Sequence, residues 1–163
     1  MRYRDHPTVE VSEKFAADPA AIWALITDIT LPTRFSPELQ RVEWLNDADH
    51  VEVGARFRGH NHHPALGDWQ TECRVIECEP PTRWVYEVAF DEPFATWGFE
   101  VDPDKDGGAT VRQWARMGPG PSGLTPAIER MPEKEGRIIA RRLAEWENGM
   151  RANLAGLRDM LTD

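Results

Sequence analysis

The apolar residues near the end of the chain recur at helical spacing. From Pro132 onward they are separated by three or four residues, which marks one stripe of a long amphipathic helix. Such a stripe needs an apolar surface to cover it, and the residues upstream have the pattern of strands. We therefore predict a sheet wrapped around one long helix, with a cavity between them. The stripe consists of Ile139, Leu143, Trp146, Met150, Leu154, Leu157 and Leu161.

The beginning of the chain predicts one strand followed by two short helices. Residues 9–15 alternate between apolar and polar side chains, as a half-buried strand does. Asp18 followed by Pro19 is a typical helix start. The apolar spacing that follows predicts a first helix ending at Pro32, and Ser36-Pro37 predicts a second short helix or a turn. The spacing residues are Ile22, Leu25, Ile26 and Ile29.

The middle of the chain predicts six more strands, near 40–46, 52–60, 69–78, 83–90, 95–101 and 109–117. Short turn-forming segments separate them, so neighbouring strands should pair in an antiparallel meander. The segment GPGPSG at 118–123 ends the sheet, and a helical turn is predicted over 126–131. The predicted fold class is α+β: one domain over 1–163, with a seven-stranded antiparallel sheet around the C-terminal helix.

Composition excludes several classes of function. The chain has 163 residues and a formal net charge of −9, which disfavours binding to nucleic acid. No apolar run is long enough to span a bilayer, so no stable membrane insertion is predicted. The first residues lack the pattern of a secretory signal, and we expect a cytoplasmic protein. Cys73 and Cys78 are predicted to lie on opposite faces of one strand as free thiols.

Strand parity predicts which side chains face the long helix, because alternate residues point to opposite faces of a sheet. The more apolar face is aromatic, with a few neutral polar groups, and this composition is typical of a ligand pocket. The alternative is that these rings only fill the core. The predicted ligand-binding residues are Phe57, Asn61, Trp69, Thr71, Trp84, Tyr86, Trp97, Phe99, Gln113, Trp146, Met150 and Asn153.

The sequence offers little catalytic chemistry. No triad and no inward pair of carboxylates emerges, so Tyr86 is the candidate general acid if the cavity catalyses a reaction. His60 and His62 could share a strand face, but parity directs both outward and a third zinc ligand is not evident. We predict neither a metal site nor a cofactor.

Four segments of the chain are characteristic: ADPAAIWALITD at 17–28, FSPEL at 35–39, VGARF at 53–57 and VIECEPP at 75–81. Together they resemble the START/Bet v 1-like helix-grip superfamily (SRPBCC), and within it the polyketide cyclase/dehydrase and lipid-transport branch. The resemblance covers nearly the whole chain. It implies a deep cavity between sheet and helix, used in the superfamily for lipids, hormones, polyketides and other apolar molecules. It implies no catalytic residues, since no universal motif carries them.

Two functions are compatible with these features. The first is binding or transport of a hydrophobic small molecule: a lipid, a polyketide or an aromatic metabolite. The second is a cyclase- or aromatase-like enzyme that acts in the same cavity without a cofactor. A regulatory protein that binds a partner through its acidic surface is a third alternative. The sequence indicates no oligomeric state.

Overall fold

The computed structural model describes residues 1–89 and 91–162, and it confirms the predicted fold. A seven-stranded antiparallel sheet has the strand order β1-β7-β6-β5-β4-β3-β2. Two short helices connect β1 to β2, and the long helix α4 closes the chain. The elements are β1 (Thr8–Phe15), α1 (Pro19–Ile26), α2 (Leu31–Phe35), β2 (Leu39–Trp44), β3 (Arg56–His63), β4 (Gly67–Glu79), β5 (Arg83–Val88), β6 (Ala95–Pro103), β7 (Ala109–Met117), α3 (Thr125–Arg130) and α4 (Glu135–Leu161).

The C-terminal helix lies along the concave face of the sheet. A 3₁₀ turn over Pro132–Lys134 leads into it. Ile139, Met150, Leu154 and Leu157 on its predicted stripe are fully buried. The first half of α4 is less tightly covered, because Leu143 and Trp146 keep part of their surface accessible. The cavity described below lies at this less covered half.

Two predicted boundaries were wrong. Pro32 does not end a helix; it lies in the first turn of α2, where a proline has no hydrogen bond to lose. The Ser36 segment is a bend leading into β2. The third strand begins at Arg56, because Gly54 adopts a φ of +93° and turns the chain. The predicted strand 83–90 and the predicted domain 1–163 include residues 90 and 163, which lie outside the described residues.

The two cysteines lie on the same face of β4, so their predicted separation was wrong. Cys73 pairs with Val88 and Cys78 pairs with Trp84, both on the concave side. A register shift between Val75 and Glu77 adds one residue, and such a bulge reverses the parity of the strand beyond it. Both thiols are free, as predicted. Burial raises the pKa of Cys73 to about 12, so this thiol is unreactive at neutral pH.

The outer face of the sheet is charged except around Trp114. This side chain is only 9% exposed and covers Gly98, where an added Cβ would meet the indole ring at 2.6 Å. The guanidinium groups of Arg83 and Arg116 lie 5.5 and 5.8 Å from the centroid of the ring. This outward tryptophan is therefore covered by its own neighbours.

A close approach at Gly156 allows α2 to pack on α4. A Cβ at this position would lie 2.4 Å from two ring carbons of Phe35. We predict that Gly156→Ala destabilises the protein by about 1–3 kcal/mol, the usual effect of overpacking, which outweighs a gain in helix propensity of about 1 kcal/mol. Gly136→Ala is the matched control, since its nearest neighbour would be 3.8 Å away.

Urea denaturation of both variants checks this prediction. Gly136→Ala should be at least as stable as the wild type, whereas Gly156→Ala should unfold at lower urea. Equal stability of the two variants would show that α2 does not depend on this approach.

Candidate ligand-binding cavity

A cavity of about 360 Å³ lies between the sheet and the first half of α4. Its volume falls within the usual range for small-molecule sites, about 300–1,000 Å³. The walls come from β4, β7, α4, the loop after β7 and the beginning of the chain. The lining residues are Tyr3, Leu66, Trp69, Gln70, Thr71, Phe94, Met117, Pro121, Ser122, Gly123, Leu124, Arg142 and Trp146.

Tyr3 fixes one end of the cavity. Its hydroxyl donates a hydrogen bond to the carbonyl oxygen of Gly120 at 2.6 Å, and its backbone N–H donates to Oε2 of Glu135 at 2.7 Å. Burial raises the pKa of the phenol, so it stays a donor at neutral pH. The loop after β7 is also held by its backbone, since Gly120 N–H donates to the carbonyl of Pro93. This wall is therefore built by contacts between segments far apart in sequence.

Arg142 is a buried cation in this apolar lining. It is 8% exposed, and its guanidinium lies 5.9 Å from the ring centroids of both Trp69 and Trp146. Nη1 and Nη2 donate to the two carboxylate oxygens of Glu38 at 2.6 and 2.8 Å. Nη1 also donates to Oε1 of Glu145 at 3.2 Å. A buried guanidinium needs such partners, because desolvation of an unpaired charge is costly.

His63 extends this network from the end of β3. Its Nε2 lies 2.5 Å from Oε2 of Glu145, and its Nδ1 accepts a hydrogen bond from the backbone N–H of Ala65 at 2.9 Å. Because Nδ1 is an acceptor, the ring is in the neutral form with its proton on Nε2. Burial opposes ionisation of Glu145, but the bonds from His63 and Arg142 outweigh it and hold its pKa below the usual value.

The structure brings three of the predicted ligand-binding residues to the cavity wall: Trp69, Thr71 and Trp146. Trp97 contacts one of them, with its ring centroid 5.0 Å from that of Trp146. Asn61 lies beside Trp69, its partner in the β3–β4 ladder. A ligand contact by any of these residues remains a prediction.

The other four predicted aromatic residues form a continuous cluster of rings deeper in the molecule. The rings of Phe57, Tyr86, Trp84 and Phe99 contact one another in that order, with centroids 5.1 to 6.1 Å apart. Phe57, Trp84 and Phe99 are each at most 4% exposed. These three rings therefore pack the core, which was the alternative left open by the sequence.

Two predicted amides and Tyr86 place polar atoms in the interior. Asn153 Nδ2 donates to Gln113 Oε1 at 3.2 Å, while Asn153 Oδ1 is buried without a partner among the described residues. Fully buried Met150 lies one turn before Asn153 on α4. No described group hydrogen-bonds the Tyr86 hydroxyl, whose pKa is raised by burial. Tyr86 is therefore a weak acid.

Arg142, Tyr3 and the loop after β7 were not predicted as site residues. Arg142 lies four residues before Trp146 and three after Ile139, so helical spacing alone places it beside the stripe. A charged side chain is usually expected on the solvent-exposed face of a helix, so Arg142 was not predicted to be buried. The position of Tyr3 depends on tertiary contacts and has no local signal.

The histidine segment contacts carboxylates in three directions. His60 pairs with Glu43 and His62 with Asp68 on the outer side, whereas His63 reaches α4. Within the two described ranges, no three His, Cys, Asp or Glu side chains come close enough to hold a metal ion. Among those residues, too, no helix is both long and apolar enough to cross a bilayer.

A second, more open groove of about 560 Å³ lies between α1 and β2. Its lining includes the indoles of Trp23 and Trp44 and the carboxylates of Glu43 and Asp49. None of the described residues that line it belongs to α4. It is therefore separate from the cavity between sheet and helix.

Comparison with known families decides the membership of the chain. The family model described as polyketide cyclase/dehydrase and lipid transport matches residues 6–159. The chain belongs to this family. The predicted resemblance is thus confirmed, and the family supports a role in hydrophobic ligand binding or cyclisation. No protein among the curated sequences matches this chain.

Solved structures share the fold of this family member. A polyketide-cyclase-like protein of Corynebacterium glutamicum is 25% identical, with a TM-score of 0.65 over 95% of this chain and 91% of that one. The di-domain ARO/CYC BexL from the BE-7585A biosynthetic pathway is 15% identical, with a TM-score of 0.69 over 96% of this chain and 50% of its own. A protein of Thermus thermophilus is 16% identical, with a TM-score of 0.61 over 96% of this chain and 97% of that one.

The lowered pKa of Glu145 predicts a pH-dependent contribution to stability. A carboxylate whose pKa is lower in the folded state stabilises the protein above its unfolded pKa of about 4.3. That contribution is lost as the pH falls through the folded-state pKa. We therefore expect Glu145→Gln to be less stable than the wild type at pH 7, with a difference that shrinks below about pH 4.

Thermal unfolding of both proteins across this pH range measures the difference. Glu147→Gln, on the same helix, is the control, because its carboxylate has only a 3.7 Å contact with Arg151. A constant difference between Glu145→Gln and the wild type from pH 7 to pH 3 would contradict the assigned network.

Proposed function

We propose that this protein binds a hydrophobic small molecule in the cavity between the sheet and the first half of α4. The observation that carries the proposal is the lining: two indoles, Phe94, Met117 and Leu124 around one buried cation. Apolar walls with a few placed polar groups are the usual composition of ligand sites. Membership of a family described by cyclisation and lipid transport agrees with this chemistry.

Carriage of the ligand without chemical change fits the polar groups better than catalysis does. The carboxylates nearest to the lining residue Arg142, those of Glu38 and Glu145, are already engaged by Arg142 and His63. The neutral imidazole of His63 uses both ring nitrogens. Neither a free base nor a free nucleophile is thus available among these side chains. A carrier needs neither.

Filling the cavity should abolish binding. We predict that Thr71→Phe weakens the binding of a neutral aromatic probe such as 1-aminoanthracene by about tenfold or more, because a phenyl ring in the wall occupies the space of the ligand. The matched control is Glu72→Phe, the next residue on β4, whose side chain is on the exposed face. It should retain the wild-type affinity.

Probe fluorescence measures both affinities, and circular dichroism checks that both variants fold. Equal weakening by the two substitutions, or no weakening by Thr71→Phe, would contradict the location of the site. Absence of probe binding to the wild type would contradict the proposal itself.

A cyclase- or aromatase-like activity is the second candidate, supported by the family description. Its predicted acid is the Tyr86 hydroxyl, which lies deeper than the residues that line the cavity. If the cavity catalyses a reaction, this group is the candidate general acid, and Tyr86→Phe should abolish turnover of a poly-β-ketone substrate. Its binding of 1-aminoanthracene should change by less than about threefold, since only one neutral hydroxyl is lost. Product analysis by mass spectrometry would show turnover. Undiminished turnover in Tyr86→Phe would exclude this residue as the acid.

A further inference from the structure

The charge balance around Arg142 indicates which polar group the cavity accepts. One guanidinium faces the carboxylates of both Glu38 and Glu145. The third partner, His63, is neutral, because its Nδ1 accepts the Ala65 N–H. This cluster of four side chains, the Arg142 cluster, therefore has one negative charge in excess. An entering carboxylate would meet a site that is already over-neutralised.

The guanidinium nevertheless keeps donors for a neutral oxygen. Its three hydrogen bonds to Glu38 and Glu145 use both protons of Nη1 and one proton of Nη2. The N–H of Nε and the second proton of Nη2 have no partner among the described residues. These two donors lie on the same edge of the planar group, and such an edge binds a carbonyl or hydroxyl oxygen well.

The surroundings of this edge suit a flat ligand. Trp69 and Trp146 each lie 5.9 Å from the guanidinium, and both also line the cavity. An aromatic ring held beside these indoles would be close to the free N–H groups. Such offset aromatic contacts contribute about 0.5–1.5 kcal/mol beyond the burial of area.

We propose that Arg142 is a specificity-determining residue that selects neutral, carbonyl- or hydroxyl-bearing aromatic ligands, and that Glu38 and Glu145 exclude carboxylates of the same shape. This inference rests on the proposed function, because it concerns the same cavity. It separates neutral oxygenated aromatics from the fatty acids and aromatic acids that a generic apolar pocket would also bind.

Two ligands with the same ring system test the proposal. At neutral pH 2-acetylnaphthalene is uncharged and 2-naphthoate is an anion. The wild type should bind the ketone at least about tenfold more tightly by isothermal titration calorimetry, because the excess negative charge of the Arg142 cluster repels the anion. Equal affinities, or tighter binding of naphthoate, would overturn the proposal.

Variants assign this selectivity to the Arg142 cluster. Glu38→Gln removes one negative charge and keeps the shape, so naphthoate should bind about tenfold more tightly while the ketone changes less than about threefold. Arg142→Met should weaken the ketone about tenfold. The exposed Arg151→Met on the same helix should change neither affinity.

The outcomes distinguish failure of the proposed function from failure of the selectivity proposal. If the wild type binds neither naphthalene compound nor 1-aminoanthracene, the proposed function fails. If it binds them without preference, or if Glu38→Gln leaves naphthoate binding unchanged, the selectivity proposal fails and the cavity function stands. Should Arg142→Met not fold, the wild-type comparison and Glu38→Gln still decide the proposal.

Discussion

Burial of one helix stripe against a curved sheet is the constraint on which the rest of the structure depends. The helix α4 lies on the concave face, and several of its apolar side chains belong to the buried core. A single helix cannot fill the whole concavity of seven strands. Large side chains from both sides meet along the second half of α4, where Met150, Leu154 and Leu157 are fully buried. Along the first half this contact is incomplete, although Trp146 meets Trp97, and the cavity is the space that remains.

The segments that surround the cavity also bury the charge of Arg142. Segments from the beginning of the chain, the end of β3 and the loop after β7 all reach the first half of α4. Arg142 connects this part of α4 to Glu38, just before β2, by a bidentate ion pair, and Glu145 connects it to His63. Removing one partner of a buried pair is usually far more costly than the pair is stabilising. Loss of one member of the cluster would therefore leave an uncompensated polar group beside the cavity.

The sequence was sufficient for the fold and for part of the site, and the reasons differ by residue. Strand parity and helical spacing are local, so the faces of Trp69, Thr71 and Trp146 could be predicted from them. The bulge that turns Cys78 inward depends on ladder registry, which no single strand encodes. Strand parity places Phe57, Trp84 and Phe99 on the inner face of the sheet. Whether an inner ring packs the core or lines a cavity depends on how closely its neighbours fill the space, and parity carries no information about that. Tyr3 and Arg142 join the cavity through tertiary contacts.

Assignment of the indole N–H signals during a ligand titration tests the central claim most directly. The chain has seven tryptophans, and they sample the cavity, the open groove and the outer face. With ¹⁵N-labelled protein and 2-acetylnaphthalene, the account predicts shifts of the Trp69 and Trp146 indole signals and an unchanged Trp114 signal. Saturable shifts confined to Trp23 and Trp44, or no saturable shift at all, would contradict a ligand site between the sheet and α4.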